Sequence, residues 1–394
     1  MNSVSAIRNV AVLGATGSVG KHALDVVSDN PDRLRASVLV AHRNVEVLVA
    51  LCVRHRPDLA IIADTQLETD LARRLAAAGI RCDVASGLEA ICRATGSSLC
   101  DVIVCAMTGL ASLDAALSAA RAGKRLLLAN NEPAVIAGSL LRSAAVESGG
   151  ELVPLSAAAH TVARYAGNTH ADLSLTDVRC LILTSSGGPF SGRKRADLMT
   201  VTPDDVGAIP GKRSLRQRAV DSATLMNTGL EAIAIDHLFR TAPEQIQVRL
   251  TTQSIAPVIL EQADGSMQAL GHWLDMRSAI DSGLHGPERP IRHPIFEREA
   301  LSALAAPDPG TFRCLALALA ALREGGDAPA LLNAANEVAV AAFLAGSLPF
   351  LSIADLIEHV LTELPPQPVV DIQTLRERDR AARAAARRVL RTAC

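Results

Sequence analysis

Three glycines near the start of the chain have the spacing of a phosphate-binding turn. Gly14, Gly17 and Gly20 lie in the stretch GATGSVG, between an apolar run and a segment with helical periodicity. Glycines let a strand turn sharply into a helix, whose first N–H groups then face a pyrophosphate. A glycine triplet alone is weak evidence, but this one stands in the required strand–turn–helix context. We therefore predict a dinucleotide site here. Its other turn residues are Thr16, Ser18 and Val19.

The residues that follow the second predicted strand select the dinucleotide. An NAD site usually has an acidic residue there, which accepts a hydrogen bond from the ribose 2′-hydroxyl. This chain has AHRN instead, and Arg43 offers a cation with planar donors for a 2′-phosphate. His42 and Asn44 add further hydrogen-bonding groups. The pattern favours NADPH; the alternative is an exposed turn whose arginine has no ligand.

The elements that position these residues alternate between strand and helix over the first 150 residues. The predicted strands are 10–15, 36–41, 59–64, 101–106 and 125–130. Helical segments of 10–15 residues between them predict parallel βαβ units and a Rossmann-like, doubly wound α/β sheet. From 151 the pattern changes to a mixed α+β domain up to 285, with strands at 152–156, 178–190 and 245–260 and a helix near 221–240. A linker at 286–305 precedes a helical domain at 306–394. The Pro- and Gly-rich composition that marks the linker begins earlier, at 281.

Composition narrows the class of protein. Lys plus Arg (39) nearly balances Asp plus Glu (41), and aromatic residues make up only 2% of the 394 residues. The chain lacks both the net positive charge and the aromatic stacking residues that nucleic-acid-binding proteins use, so nucleic acid is not an expected partner. The apolar runs are too short to span a membrane, and the first residues lack the pattern of a signal peptide. We expect a cytoplasmic protein whose eight scattered cysteines are reduced.

Several longer motifs resemble one enzyme family. They are VAVLGATGSVGKHALDVV, LLLANNE, TSSGGPF, VDSATLMNTGLEAI, DMR and LNAANEVAVAAFL. Together, and collinearly over almost the whole chain, they resemble the 1-deoxy-D-xylulose 5-phosphate reductoisomerase family. The resemblance implies an N-terminal NADPH domain, a central catalytic domain with a mobile flap near 207–218, a C-terminal helical domain and a homodimer. The family rearranges a phosphorylated ketose with the help of a divalent metal and reduces the product with NADPH.

The residues that match the family's binding sites are partly retained. The resemblance implies that Ser186, Ser222 and Asn227 hold the substrate's phosphate or phosphonate, with Thr228 in place of a family lysine. It also implies cofactor contacts at Asn130 and Glu132. Hydroxyl and amide donors of this kind suit phosphate oxygens. We therefore expect a small phosphorylated or phosphonate substrate.

The residues that match the family's metal site are mostly replaced. Glu231 is retained, but Ser156 and Ala158 stand where the family has Asp and Glu, and Ala159 stands where it has His. A hard divalent cation with one carboxylate ligand is held weakly. His160, one position further on, either compensates by a shift or is an ordinary polar loop residue. We therefore predict a degenerate metal site and regard a divalent metal as doubtful.

Two further features near the substrate site differ from the family: the flap, and a position where the family has a lysine. Asn131 replaces a family lysine, and Lys212 replaces the covering tryptophan, in a run that also carries Arg213, Arg216 and Arg218. Such a run either closes over a polyanionic substrate or is a solvated basic loop. The candidate catalytic residues are Glu231, Lys212, Asn131, Glu132, Ser156 and His160.

The main hypothesis is an NADPH-dependent oxidoreductase that acts on a small phosphate- or phosphonate-bearing carbonyl or alcohol without a tightly bound divalent metal. Hydride transfer needs positioning against the nicotinamide and charge stabilisation at oxygen, whereas the rearrangement gains most from chelation. One alternative is that the chain retains the family's complete reaction. Another is a catalytically silent NADPH-binding protein.

Overall fold

The computed structural model describes residues 7–166, 177–207, 213–251, 256–271, 275–286 and 304–392. These residues form two compact units. The first unit comprises 7–133, 139–166 and 275–286, and the second comprises the other described segments together with 134–138. Within the described residues, we find no helix that is long and apolar enough to cross a membrane.

The first unit is built on a seven-stranded parallel sheet. Its strands are β1 (Arg8–Leu13), β2 (Leu34–Ala41), β3 (Leu59–Ile62), β4 (Asp83–Ser86), β5 (Val102–Cys105), β6 (Arg125–Leu128) and β7 (Glu151–Pro154). Their order in the sheet is β4-β3-β2-β1-β5-β6-β7. The order reverses between β1 and β5, which makes the crevice beyond these two strands the switch point of a doubly wound fold. The Rossmann-like fold predicted from the sequence is confirmed.

Helices of the first unit connect and cover these strands. They are α1 (Ser18–Asp29), α2 (Val45–His55), α3 (Glu68–Ala77), α4 (Gly87–Gly96), α5 (Leu110–Arg121), α6 (Glu132–Ser148), α7 (Ala157–Tyr165) and α10 (Met276–His285). One apolar core lies between the sheet and this layer, where Leu24, Leu48, Leu71 and Ile280 are buried against the strands. Burial of the strands on both faces explains their continuous apolar sequences.

Two strands of the sheet differ from the sequence prediction. We predicted that 152–156 would belong to the mixed sheet, but β7 pairs in parallel with β6, with Leu127 opposite Val153. The crossover helix α6 returns the chain to the same sheet edge, and no sequence pattern reveals which sheet an apolar run joins. Strand β4 was missed because DVAS has no apolar run.

The second unit combines a mixed sheet with helices. The sheet order is β11-β10-β8-β9, from β8 (Val178–Ser185), β9 (Ile246–Leu250), β10 (Val258–Gln262) and β11 (Met267–Leu270). The helices are α8 (Arg213–Ala223), α9 (Met226–Phe239), α11 (Arg313–Glu324), α12 (Ala328–Leu344), α13 (Ser352–Glu363) and α14 (Ile372–Thr392). Strands β8 and β9 are parallel and the other pairs antiparallel. The predicted mixed sheet and C-terminal helices are therefore present.

Two further sequence predictions need correction. The helix expected near 221–240 is two helices, because Leu225 adopts a left-handed conformation (φ +57°) that ends one and begins the next. The stretch 281–285, which composition assigned to a linker, forms the last turns of α10, whose first turn is capped by Asp275 through the backbone N–H of Ser278 at 2.7 Å. Most of the predicted linker 286–305 lies outside the described residues. The division into domains at 150, 285 and 305 stays a prediction.

Candidate functional site

The glycine turn lies at the switch point of the first sheet. Gly14 has a φ of +85°, and a β-carbon there would lie 2.8 Å from the carbonyl oxygen of Ala106, just beyond β5. A β-carbon on Gly20 would lie 2.4 Å from the carbonyl oxygen of Gly14. Both distances are too short for any side chain, so the close turn and the tight approach of α1 require glycine. This is the geometry by which such turns admit a pyrophosphate.

The first turn of α1 leaves backbone donors for a ligand. Gly17 occupies the N-cap position and offers no side chain to accept from the helix, which begins at Ser18. Ser18 is exposed, while Thr16 and Val19 are half-buried. The first N–H groups of a helix and its dipole together favour an anion. The structure thus brings the predicted turn residues together at one helix N-terminus.

The end of β2 presents the residues predicted to select the cofactor. His42, Arg43 and Asn44 are all exposed. Asn44 caps α2, since its side-chain oxygen accepts from the backbone N–H of Val47 at 3.1 Å. The Arg43 Nε atom lies 3.2 Å from a carboxylate oxygen of Asp64. Asp64 therefore orients the guanidinium, while Asn44 has a structural role as the cap of α2.

The segment Asn130–Glu132 builds the wall of the same crevice. Asn130 donates from Nδ2 to the carbonyl oxygen of Met107 at 2.6 Å, and its Oδ1 accepts from the backbone N–H of Glu132 at 3.2 Å. The Glu132 carboxylate accepts from the backbone N–H of Gly109 at 2.8 Å. Asn131 is the N-cap of α6. These contacts tie the start of α6 to the loop after β5, so Asn130 and Glu132 shape the predicted cofactor site.

The segment that replaces the family's metal ligands forms the start of α7. Ser156 is its N-cap, and the hydroxyl oxygen is buried without a hydrogen-bond partner in the described part of the chain. Ala158 and Ala159 are only 3% and 0% exposed. A hydroxyl and two buried methyl groups therefore occupy positions where the family has polar ligands.

His160 lies inside α7 and is not a polar loop residue as the sequence suggested. It is 3% exposed, and its Nδ1 atom lies 2.9 Å from the carbonyl oxygen of Pro154. A carbonyl only accepts, so Nδ1 carries the proton of the neutral ring. Burial lowers the pKa of His160 below its ordinary value. The imidazole is therefore neutral at pH 7, with a buried Nε2 that lacks a hydrogen-bond partner among the described residues.

The second unit contains the residues predicted to hold phosphate. Ser186 is exposed in the loop after β8, and Gly187 and Gly188 follow with positive φ angles. A β-carbon on Gly188 would lie 2.5 Å from the carbonyl oxygen of Ser222. The loop thus packs directly against the last turn of α8, so two of the predicted phosphate contacts come from adjoining segments.

Helix α9 carries the remaining predicted substrate residues. Asn227 is exposed and Glu231 half-buried, and their spacing of four places them on one face of the helix. Thr228 is buried and donates from its hydroxyl to Asn227 Oδ1 at 3.4 Å. It therefore supports Asn227 and does not supply a cation as the family's lysine would.

The basic flap is only partly described. Lys212 and the flap residues 208–212 as a whole lie outside the described residues. Residues 213–218 begin α8, so this part of the run is helical. Arg216 donates to the carbonyl oxygen of Leu344 at 3.2 Å, whereas Arg218 is exposed. Arg216 is thus a packing residue of α8, and closure of the basic run over a substrate stays a prediction.

One polar pair beside the phosphate segments was missed. Asn336 donates from Nδ2 to Asp221 Oδ1 at 2.8 Å, and both residues are buried. The two residues stand in the quoted motifs LNAANEV and VDSATLMN, but nothing in their sequence indicates that the motifs touch. Only the packing of α8 on α12 reveals the contact.

Fold and site together define a Rossmann-like dinucleotide-binding protein with a second, mixed α+β unit. Family models match most of the chain: 1-deoxy-D-xylulose 5-phosphate reductoisomerase at residues 10–138, the C-terminal domain of that enzyme at 155–239, and the DXP reductoisomerase C-terminal domain at 272–385. A 1-deoxy-D-xylulose 5-phosphate reductoisomerase of Xanthomonas oryzae pv. oryzae (strain PXO99A) is 46% identical over 98% of both chains. The chain belongs to the 1-deoxy-D-xylulose 5-phosphate reductoisomerase family, whose members are NADPH-dependent oxidoreductases.

Solved structures agree with this assignment. The reductoisomerase from Zymomonas mobilis in complex with NADPH has a TM-score of 0.86 and 36% identity, covering 98% of this chain and 99% of that one. A DOX-P reductoisomerase with fosmidomycin and magnesium has a TM-score of 0.84 and 30% identity, covering 98% of each chain. Because the relatives carry the family's name and one structure contains magnesium, the comparisons do not support our prediction of a metal-independent enzyme. They favour the alternative of a retained reductoisomerase.

The residues at the start of α7 show separately whether this segment could bind a divalent metal. A hard divalent cation prefers carboxylate and carbonyl oxygens. Ser156 offers a neutral hydroxyl, Ala158 and Ala159 offer buried methyl groups, and His160 is bound to Pro154 through Nδ1. This segment does not fit the two-carboxylate contribution that the resemblance implies.

Proposed function

We propose that the chain is an NADPH-dependent oxidoreductase for a small phosphorylated carbonyl substrate of the reductoisomerase class. The observation that carries the proposal is the glycine turn at the β1–β5 switch point, where only glycine fits at Gly14 and Gly20. Arg43, exposed at the end of β2 and oriented by Asp64, would bind the 2′-phosphate that distinguishes NADPH from NADH. The NADPH complex of the Zymomonas mobilis relative supports this cofactor.

Ser186, Ser222 and Asn227 would bind the substrate's phosphate. Two of them come from segments in direct backbone contact, and the third is exposed on the first turn of α9. Hydroxyl and amide groups donate to phosphate oxygens. The fosmidomycin complex of a relative with 30% identity supports a phosphorus-bearing ligand, because fosmidomycin is a phosphonate.

The first candidate reaction is the complete conversion of 1-deoxy-D-xylulose 5-phosphate. The comparisons favour it, since a relative with 46% identity over 98% of the chain carries that name. For this reaction the chain would have to compensate for its missing carboxylates. Glu231, the substrate's own oxygens and water are the groups that would remain for a metal.

The second candidate is reduction or oxidation of a phosphate- or phosphonate-bearing substrate without a tightly bound metal. The composition of the α7 start favours it, because Ser156, Ala158 and Ala159 do not fit a hard cation. Bound NADPH would supply the hydride for the carbonyl carbon, and a protein group would supply the proton for the carbonyl oxygen. Glu231 and Lys212 are the proposed proton handlers, and Asn131, Glu132, Ser156 and His160 are the other candidate catalytic residues.

One experiment separates these candidates. Purified protein is supplied with NADPH and 1-deoxy-D-xylulose 5-phosphate, then with other phosphorylated and phosphonate carbonyl compounds, each with EDTA or with added Mn²⁺. Chelator-sensitive turnover of 1-deoxy-D-xylulose 5-phosphate supports the first candidate, and chelator-insensitive NADPH oxidation with any substrate supports the second. Tight NADPH binding without turnover contradicts both and identifies a silent paralogue. The homodimer and the cytoplasmic location stay predictions.

A further inference from the structure

The contact between Asp221 and Asn336 lies directly beside a residue of the proposed phosphate site. Asn336 on α12 donates from Nδ2 to the Asp221 carboxylate on α8 at 2.8 Å. Ser222 is the next residue along α8. Consecutive residues of a helix point about 100° apart. When Asp221 faces α12, Ser222 is therefore turned to an adjoining side of the helix.

The Ser222 turn is held from a second direction as well. A β-carbon on Gly188 would lie 2.5 Å from the Ser222 carbonyl oxygen, so the loop that carries Ser186 rests on this turn. Helix α8 ends at Ala223, and the left-handed Leu225 redirects the chain into α9 and Asn227. The turn that carries Ser222 is thus held between α12 and the glycine loop.

Stability alone is a poor explanation for the Asn336 side chain. Asn336 is 0% exposed, and its Oδ1 atom has no hydrogen-bond partner in the described segments. Burial of a polar atom without a partner costs about 1–3 kcal/mol. The neighbouring positions Ala335 and Ala339 are buried and apolar, so an apolar residue would suit this surface of α12. A geometric role explains an amide at this position better than stability does.

We propose that Asn336 is a positioning residue which, through Asp221, holds Ser222 where its hydroxyl binds the substrate's phosphate or phosphonate. This inference rests on the proposed function, because that proposal assigns Ser222 to the phosphate. It adds α12 to the parts of the chain that determine substrate affinity. The cofactor turn at Gly14 belongs to the other unit and does not take part in the contact between Asn336 and Asp221.

The test compares two asparagines of the same helix. Asn333 is 3% exposed and donates from Nδ2 to Glu337 within α12 at 2.9 Å, so Asn333→Ala removes an equally buried amide without touching Asp221. Fosmidomycin affinity is measured by calorimetry in saturating NADPH for wild type, Asn336→Ala and Asn333→Ala. The exchange Asp221→Asn with Asn336→Asp restores a donor–acceptor pair in the opposite direction. NADPH affinity and thermal unfolding are measured for every variant.

We expect Asn336→Ala to raise the Kd for fosmidomycin about tenfold, as loss of a hydrogen bond to a charged group predicts. Asn333→Ala and the exchange variant should bind within about twofold to threefold of wild type, with NADPH affinity unchanged throughout. Equal losses in Asn336→Ala and Asn333→Ala, no loss in Asn336→Ala, or no recovery in the exchange variant would overturn the inference. Wild-type protein that does not bind fosmidomycin would instead overturn the proposed phosphate site, and the inference with it.

Discussion

A β-carbon on Gly14 would lie 2.8 Å from the carbonyl oxygen of Ala106, because the loops after β1 and β5 meet where the strand order reverses. Glu132 holds the second of these loops through the backbone N–H of Gly109. The close contact leaves no room for a side chain at residue 14 and brings two loops to one crevice.

Gly14→Ala should weaken NADPH binding at least tenfold. The added methyl group meets the Ala106 carbonyl and also has to adopt a φ of +85°, so the turn is displaced. Gly79→Ala is the matched control, since Gly79 has a φ of +66° but no atom within 4 Å of an added β-carbon. The control should lose about 1–2 kcal/mol of stability, because alanine would have to adopt the left-handed conformation, and keep its NADPH affinity. Fluorescence titration with NADPH measures both, and equal affinities in the two variants would contradict the assigned role of Gly14.

Arg43→Ala should lower the affinity for NADPH by about 10- to 100-fold and leave that for NADH nearly unchanged. The lost group is a charged donor to the 2′-phosphate, and such contacts contribute about 1.5–3 kcal/mol. Arg35→Ala is the control, because Arg35 lies on the same strand β2 and pairs with Asp58 at 2.6 Å. Titrations with both dinucleotides check the prediction. An equal loss of affinity for NADH and NADPH would show that Arg43 does not bind the 2′-phosphate.

The buried His160 should make the protein less stable as the pH falls below its ordinary pKa of 6.5. Burial lowers the folded-state pKa, so the unfolded chain binds the proton first and acid favours unfolding. The contribution is complete well above pH 6.5 and is lost progressively as the pH falls through and below that value. Urea unfolding at pH 7.5, 6.5 and 5.5 measures it.

His160→Asn is the test variant for this pH dependence, because its amide can replace the donor to Pro154. Its free energy of unfolding should fall less between pH 7.5 and 5.5 than that of wild type. His359→Gln, at an exposed position of α13, is the control for loss of an imidazole elsewhere in the chain. If His160→Asn has the same acid-induced loss as wild type, His160 is not the group that titrates.

Ser156→Asp combined with Ala158→Glu should convert the start of α7 into a metal-binding segment. Two carboxylates at these positions repel each other without a cation, and Ala158 is nearly fully buried, so the double variant should unfold at a lower temperature than wild type. Added Mn²⁺ should recover the loss, since a ligand that binds only the folded state stabilises it. Thermal unfolding with EDTA and with Mn²⁺ is the measurement. If Mn²⁺ raises the unfolding temperature of wild type as much as that of the double variant, Ser156 and Ala158 do not prevent metal binding. That result would support the complete conversion of 1-deoxy-D-xylulose 5-phosphate.

Local sequence patterns predicted much of the fold. The apolar runs of β1, β2, β3, β5 and β6 are continuous because both faces of the sheet are covered, so each is visible in isolation. The helices α11 to α14 likewise follow from periodicity. Strand β4 and the sheet assignment of β7 could not be predicted, since DVAS lacks an apolar run and strand pairing depends on distant segments.

The sequence by itself determined the glycine turn and the family, because these depend on residue types at short spacings, and it carries the prediction that Arg43 binds the 2′-phosphate. Tertiary structure alone decided that Asp64 orients Arg43, that His160 is buried inside a helix, and that Asn336 reaches Asp221 across 115 positions of the chain. Such contacts depend on how helices pack, and packing joins residues that no local pattern relates.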